Sequence, residues 1–416
     1  MVVEAAAALA PHVKRTPCVK SDFFSDLFGC EAWLKLENLQ HTGSFKLRGA
    51  LFKMMSLSRE LNALEGVVTA SAGNHGQGVA WAARLLGVSA TVVVPVHSPL
   101  VKIASMRGMG ATVVEYGSTY DEAYRRALEL RDEHGWQFVH AFDDPLVAAG
   151  QGTIGLELAK QVPDVDVVVV PVGGGGLVSG IAVALEDLSV EVHGVQAASF
   201  PAVHAALHGA GQIVNKRRIQ PATIAEGVAV KKPGATTLPV IRRRVRRVHL
   251  ASEEAIAMAI LQLMEKEKLV VEGAGALPLA LQESEEFKRC VAGRNVAFVL
   301  SGGNIDINLL DRIIQLGLAK AGRYYRFTCL VRDVPGELFR LLGVVKDADA
   351  NVLEVQHERR SLGVPLGYAE VTLHVETRDA DHANLIKEAL VSSGHRPETL
   401  PPGPFPTERG HHDQIR

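Results

Sequence analysis

The chain has 416 residues, a length that fits two or three domains with a large buried core and excludes a peptide-sized module. Apolar residues make up 47% and charged residues 22%, and 44 Lys+Arg against 46 Asp+Glu leave a net charge of -2. That balance excludes a disordered, collagen-like or polybasic nucleic-acid-binding chain. Cys18, Cys30, Cys290 and Cys329 stand far apart with no C-x-x-C pair, the usage of a reducing cytoplasm, so neither a disulfide nor a metal knuckle is expected. No basic residue precedes the first alanine run and no stretch approaches ~18 apolar residues, so neither secretion nor a membrane partner is expected.

From Glu31 to about Leu318 one phrase repeats: a β-branched apolar run, then Gly, Ser or Asn, then a helix-like stretch rich in Ala and Leu. The runs at Ala32–Leu36, Gly66–Ala70, Ala90–Val94, Val167–Val172, Glu191–Gln196 and Asn295–Leu300 are mostly continuous rather than alternating. Strands buried on both faces read this way, which predicts an α/β domain built on parallel sheets. After the first run, Thr42-Gly43-Ser44-Phe45-Lys46 predicts a helix start with Ser44 as its cap and Lys46 in the first turn. The positive dipole end disfavours a charged ammonium there and suits a Schiff-base lysine, although a lone lysine is ordinarily a surface residue.

Three more runs end in turns that leave backbone N–H groups free at a helix start: Ser71 to Gly76, Gly173 to Gly176, and Ser301 to Asn304. In an open parallel sheet such carboxyl-end turns line a common crevice. Four successive glycines remove every Cβ that would bar an anion, and a helix opening at Leu177 adds its positive end, so this turn is read as a phosphate cradle. The alternative, glycines serving only tight strand-to-helix packing, leaves the other two turns without a purpose. A dinucleotide fold fails because Val178 stands where the third glycine of G-x-G-x-x-G belongs and the strand after it leads into Gln196-Ala197-Ala198-Ser199 rather than an acid. No G-x-x-x-x-G-K-[ST] occurs either.

Near Lys320 the pattern changes. Phe327–Val331 reads as a strand, and Leu338, Leu341, Leu342 and Val345 recur at helical spacing after the turn Asp333-Val334-Pro335-Gly336. Asn351–Glu358 reads as a strand; Ala369, Val371, Leu373 and Val375 alternate with polar residues as in a half-exposed strand, and Ala383–Val391 reads as a helix. The order strand, helix, strand, strand, helix predicts a small α+β sandwich of ferredoxin-like type whose final strand has no signal. The expected boundaries are 1–318, a linker at 319–325, the sandwich at 326–400 and a disordered polar tail at 401–416.

Ser44 to Ala50 as SFKLRGA, Thr69 to Gly78 as TASAGNHGQG, Val172 to Leu177 as VGGGGL, and SGGN at Ser301 together resemble the serine/threonine dehydratases, which are fold type II pyridoxal-phosphate enzymes. The final segment, through Asp333-x-Pro335-Gly336-x-Leu338, resembles an ACT domain, an amino-acid-sensing module. The resemblance implies that pyridoxal 5'-phosphate is held covalently by Lys46, that Asn74 bonds the ring's 3'-oxygen, and that Gly173, Gly174, Gly175, Gly176 and Leu177 cradle the phosphate. Ser301 would face the pyridine nitrogen, where a neutral hydroxyl cannot hold the nitrogen protonated as an acid would. Ser71, Ala72, His75 and Gly76 would meet the substrate carboxylate at a helix N-terminus. The implied chemistry is dehydration and deamination of L-threonine to 2-oxobutanoate, and of L-serine to pyruvate, in the cytoplasm. ACT-like modules further imply a homo-oligomer with isoleucine or valine as effector, bound near Gly336 and the Asn351 strand.

Serine racemases share the motifs, but they resemble S-S-G-N-H where this chain has Ala72, which has no proton to deliver to the opposite face. Some relatives also hold a divalent cation through acids after the strand near Gln196; from Val192 to Ala225 this chain has no Asp or Glu, so no metal site is expected. His204 and His208 lack the glutamate of H-E-x-x-H, and Arg242 to Arg247 reads as a solvated or subunit-facing segment rather than a nucleic-acid surface. The roles of Glu226 and Glu272 are left open. A contrasting class is a regulatory amino-acid-binding protein with a vestigial cofactor site, which an intact Lys46, Asn74, glycine turn and Ser301 argue against.

Overall fold

The computed structural model describes residues 1–61, 64–209, 222–360 and 363–400; the tail at 401–416 lies outside them, as does part of the acid-free stretch before Ala225. The chain divides into one unit from Met1 to Ile305 and a second from Asp306 onward.

The first unit holds two sheets. In chain order its strands are β1 (Cys18–Lys20), β2 (Glu31–Leu36), β3 (Gly66–Ala70), β4 (Ser89–Val94), β5 (Thr112–Glu115), β6 (Gln137–Phe138), β7 (Val167–Pro171), β8 (Glu191–Ala197), β9 (Arg247–Ala251) and β10 (Asn295–Leu300). The larger sheet has the order β1-β2-β10-β7-β8-β9 and is parallel except for β1, which pairs antiparallel with β2 at the edge. The smaller sheet has the order β5-β4-β3-β6 and is parallel throughout. All six strands expected from apolar runs are present, and β3 and β7 are buried along their whole length.

Three strands missed from the sequence, β1, β5 and β6, are short and lie at sheet edges. The fourth, β9, begins inside the arginine run. There Arg242, Arg243 and Arg244 close the helix Thr237–Arg244, where cations suit the negative dipole end, and Arg247 starts the strand while pairing with Glu286.

In the second unit, β11 (Tyr324–Arg332), β12 (Asn351–Glu358), β13 (Tyr368–Glu376) and the two-residue β14 (Glu398–Thr399) form an antiparallel sheet in the order β12-β13-β11-β14. With the helices Glu337–Asp347 and Ala380–Ser392 this is the βαββαβ ferredoxin-like order, and β14 supplies the strand that had no sequence signal. Phe327, Leu341, Leu373, Ile386 and Leu390 pack its core.

In the first unit the helix Lys46–Glu60 is tied down by buried charges. Arg48 is fully buried, bonded to Glu37 at 2.8 Å and Glu157 at 2.6 Å, and Lys35 joins Glu157 at 2.6 Å and the carbonyl of Thr16 at 2.8 Å. Burial opposes both cations; in Arg48 the two carboxylates outweigh it and hold the pKa above its usual value, while in Lys35 burial wins and lowers it. Glycines set the spacing of the helix's neighbour, the helix Pro145–Gln161: a Cβ on Gly150 would lie 2.6 Å from the Cα of Gly49. Removing one partner from such a cluster leaves an uncompensated buried charge. Glu37→Ala is therefore expected to destabilise the first unit by about 3–5 kcal/mol in urea-induced unfolding, far more than the loss of an exposed pair such as Lys346–Asp347.

Candidate active site

Lys46 is the first residue of its helix, but Ser44 is not its cap. Phe45 occupies the cap position without a side-chain bond, while Ser44 bridges backbone to backbone with Gly302 and buries its hydroxyl. The segment before the helix is drawn instead onto the turn after β10: Phe45 N–H donates to the Ser301 carbonyl at 3.1 Å, and Gly303 N–H to the Gly43 carbonyl at 2.9 Å. Two loops far apart in sequence thus fix one lysine.

The Lys46 amine donates to the Ala141 carbonyl at 3.0 Å, and burial pushes its pKa down to about 8 against the pull of Glu272. The same cavity is lined by Phe45, Phe142, Gly173 to Gly176 and Leu177, so the lysine and the glycine turn face one space. The helix Gly176–Ala184 opens beneath that turn, with Gly175 as its cap in the left-handed region at φ 101°. The glycines are required by contact as well as by conformation. A Cβ on Gly174 would strike the Phe142 ring at 2.2 Å, and one on Gly176 would lie 2.9 Å from the Phe142 carbonyl. Thr237 donates its hydroxyl to the Gly174 carbonyl at 2.6 Å, which occupies that oxygen.

Asn74 opens the helix Asn74–Leu86 and sits in a second cluster. Its amide donates to Glu272 at 2.6 Å and its carbonyl accepts from Asn304 at 2.9 Å; Asn304 in turn donates to the Thr42 carbonyl at 2.7 Å. The crevice turns after β3 and β10 are thereby joined through side chains. Burial pushes the Glu272 carboxyl up to about 6, opposed by its bond to Asn74 and by Lys102 and Lys46. Lys102 also bridges to Glu226 at 3.1 Å, an exposed pair in which Glu226 belongs to the segment facing the glycine turn. Ser301 is buried at the end of β10.

The proposed carboxylate-binding turn is more divided. Ser71 accepts from Gly73 N–H at 3.2 Å and Ala72 packs against the core of the smaller sheet. The His75 ring is buried against the Val139 carbonyl at 2.9 Å, and burial drives its pKa down to about 3. Its side chain is a neutral core group, leaving the backbone N–H of the helix's first turn as what it offers an anion. Gly76 admits no side chain, since a Cβ would meet the Ser71 carbonyl at 2.6 Å.

The segment from Val139 to Asp144 had no sequence signal as part of a site, yet its carbonyls hold Lys46 and His75 and its Phe142 ring floors the glycine turn. His140 orders it by accepting at Nδ1 from Phe142 and Asp143 N–H groups, and Asp144 caps the next helix. Asn304 was visible only as a motif letter. A flat aldehyde cofactor bearing a phosphate fits these residues: the Cβ-free turn at a helix start suits the phosphate, and the amine of lowered basicity suits the aldehyde.

Residues 9–302 match the family described as pyridoxal-phosphate dependent enzyme. An L-threonine ammonia-lyase of Thermotoga maritima is 47% identical over 95% of this chain and 97% of its own length. Among solved structures, the processed form of threonine deaminase isoform 2 from Solanum lycopersicum superposes with a TM-score of 0.69 at 34% identity, covering 76% of this chain and 87% of that one. The serine racemase of Dictyostelium discoideum does so with a TM-score of 0.67 at 34% identity, covering 74% and 98%.

The lowered basicity of Lys46 has a direct readout. In protein stripped of any group on the lysine, acylation of Lys46, followed by peptide mapping, should rise about tenfold per pH unit up to about 8 and level off above it. Exposed lysines should keep rising to about 10.4.

Proposed function

The chain belongs to the pyridoxal-phosphate-dependent enzyme family, and on that premise we propose that it dehydrates and deaminates L-threonine to 2-oxobutanoate and ammonia, and L-serine to pyruvate. The observation that carries the reading is the shared cavity: one amine of lowered basicity and one glycine turn at a helix start, facing the same space. The Thermotoga relative, matched over both units of this chain, supports threonine as the substrate.

Bound pyridoxal phosphate supplies an electron sink that acidifies the α-proton of an attached amino acid. The chain's residues do the rest. Gly173 to Gly176 and Leu177 would hold the phosphate through backbone N–H groups, with Thr237 keeping the Gly174 carbonyl occupied. Lys46 would hold the cofactor and, once displaced by the substrate amine, take the α-proton; an amine near pKa 8 is partly neutral at physiological pH and basic enough to accept it. Asn74, held from both sides by Glu272 and Asn304, would present its amide to the ring oxygen. Ser301 would meet the ring nitrogen with a hydroxyl, which disfavours long-lived carbanions and so favours elimination over transamination. Ser71 and the N–H groups of Asn74, His75 and Gly76 would take the substrate carboxylate, and Ala72 leaves the opposite face without an acid.

The second unit we read as an ACT-like module of a homo-oligomer in which isoleucine or valine binds near Gly336. Its ferredoxin-like order supports the reading, as does the edge strand β12 with Leu353 and Val355 exposed. No described helix is long and apolar enough to cross a membrane, and we place the enzyme in the cytoplasm.

The test is 2-oxo acid formation from L-threonine and L-serine with chiral analysis of the residual serine. We expect turnover of both without D-serine; abundant D-serine would favour the racemase, and a colourless protein without turnover the vestigial binder. Lys46→Ala should lower kcat by more than about a thousandfold, a barrier change of about 4 kcal/mol, with folding intact by circular dichroism. At sub-saturating threonine, isoleucine or valine should shift the apparent affinity about 5- to 150-fold, and an unresponsive enzyme would leave the second unit a structural part.

A further inference from the structure

At the amino end of β8, the end away from the glycine turn, three donor groups of different chemistry converge. Glu191 and His193 lie two residues apart and so share one face of the strand; Cys290 comes from the helix Glu285–Val291. Their ligand atoms all lie within 4.8 Å of one another, and they form the one such group found among the described residues. Glu191 Oε2 stands 3.3 Å from His193 Nε2. Two ligands of a tetrahedral ion at ~2.0–2.1 Å are separated by roughly 3.4 Å, so this pair is already spaced for one.

The His193 ring is buried and held from behind. Its Nδ1 lies 3.0 Å from Nε2 of His249 on β9, and the two rings stack at 5.3 Å and 10°. With Nδ1 turned to His249, Nε2 is the atom that faces Glu191 and Cys290. A proton between Glu191 and His193 would satisfy that pair alone and would leave the approach of the thiol without a purpose.

Arg294 opposes a cation here. Its Nη1 lies 3.3 Å from the same Glu191 oxygen and 3.5 Å from the Cys290 carbonyl. A thiolate formed when an ion binds supplies the second negative charge needed beside Glu191. We propose that Glu191, His193 and Cys290 bind a divalent ion of borderline softness, with Zn²⁺ as the best match, leaving a fourth position to water and using His249 to orient His193. Cys290 is remote in sequence from Glu191 and His193 and the three follow no ligand spacing, so the group has no sequence signature. The site clips the start of β8 to the helix Glu285–Val291 and lies apart from the cofactor cavity.

The test is titration of the full-length holoenzyme with Co²⁺ under reducing conditions, read from the near-ultraviolet through the visible as a difference spectrum against the metal-free holoenzyme. One equivalent should develop tetrahedral bands with a sulfur-to-cobalt component and be displaced by Zn²⁺. Cys290→Ser, at an exposed helix position, should lose the sulfur component and bind at least about tenfold more weakly while keeping amino-acid turnover. His249→Gln should weaken binding about 10- to 100-fold. Identical spectra for wild type and Cys290→Ser would overturn the site by placing the ion elsewhere. Absence of binding at equimolar Co²⁺ would also overturn it, leaving a proton between Glu191 and His193.

Discussion

The position of the Lys46 amine depends on a group of charges that never meets the cofactor cavity. Arg48 stands two residues along the same helix, buried between Glu37 and Glu157, and Lys35 completes the cluster from β2. Charges withdrawn from water tolerate few alternative arrangements, because any shift that lengthens their bonds exposes an uncompensated ion to a low-dielectric interior. The cluster therefore fixes the rotation and height of the Lys46 helix against β2 and against the helix Pro145–Gln161. That second helix starts just after Ala141 and Phe142, which hold the lysine and floor the glycine turn.

Lys46 and Glu272 form a second, more delicate balance. Each is desolvated and each lies in the field of the other, with the amine drawn down to about 8 and the carboxyl pushed up to about 6. Between those values the base is mostly charged and the acid ionised, so the pair holds one proton on nitrogen while Glu272 accepts from Asn74. The environment rather than the residue types sets this, since the same side chains in water would titrate six units apart by ~10.4 and ~4.3.

The sequence was most legible where burial is symmetrical. Strands such as β3 and β7 are covered on both faces and read as unbroken apolar runs, and the glycine turn is visible because nothing but glycine fits beside Phe142. Edge strands such as β5 and β6 gave no signal because so few residues pair there. Asn74 could be read from its motif, but Glu272 and Asn304, which hold it, could not be assigned, because their meaning lies in contacts across some two hundred residues of chain. Ser44 misled for a related reason: its local pattern is that of a cap, and the backbone of Gly302 claimed it first.

Gly49 and Gly150 let two helices approach backbone to backbone, with the Gln151 side chain accepting from Gly49 N–H at 3.2 Å beside the crossing. A backbone-to-backbone contact carries no rotamers, so little at the crossing can be ordered or released when a ligand arrives. The lysine that projects from the start of one of these helices thus stands on a helix fixed by a backbone crossing as well as by its buried charges. Little orientational entropy is left for the amine to lose when it meets an aldehyde or an α-proton, and its effective concentration there is set when the protein folds, before any substrate binds.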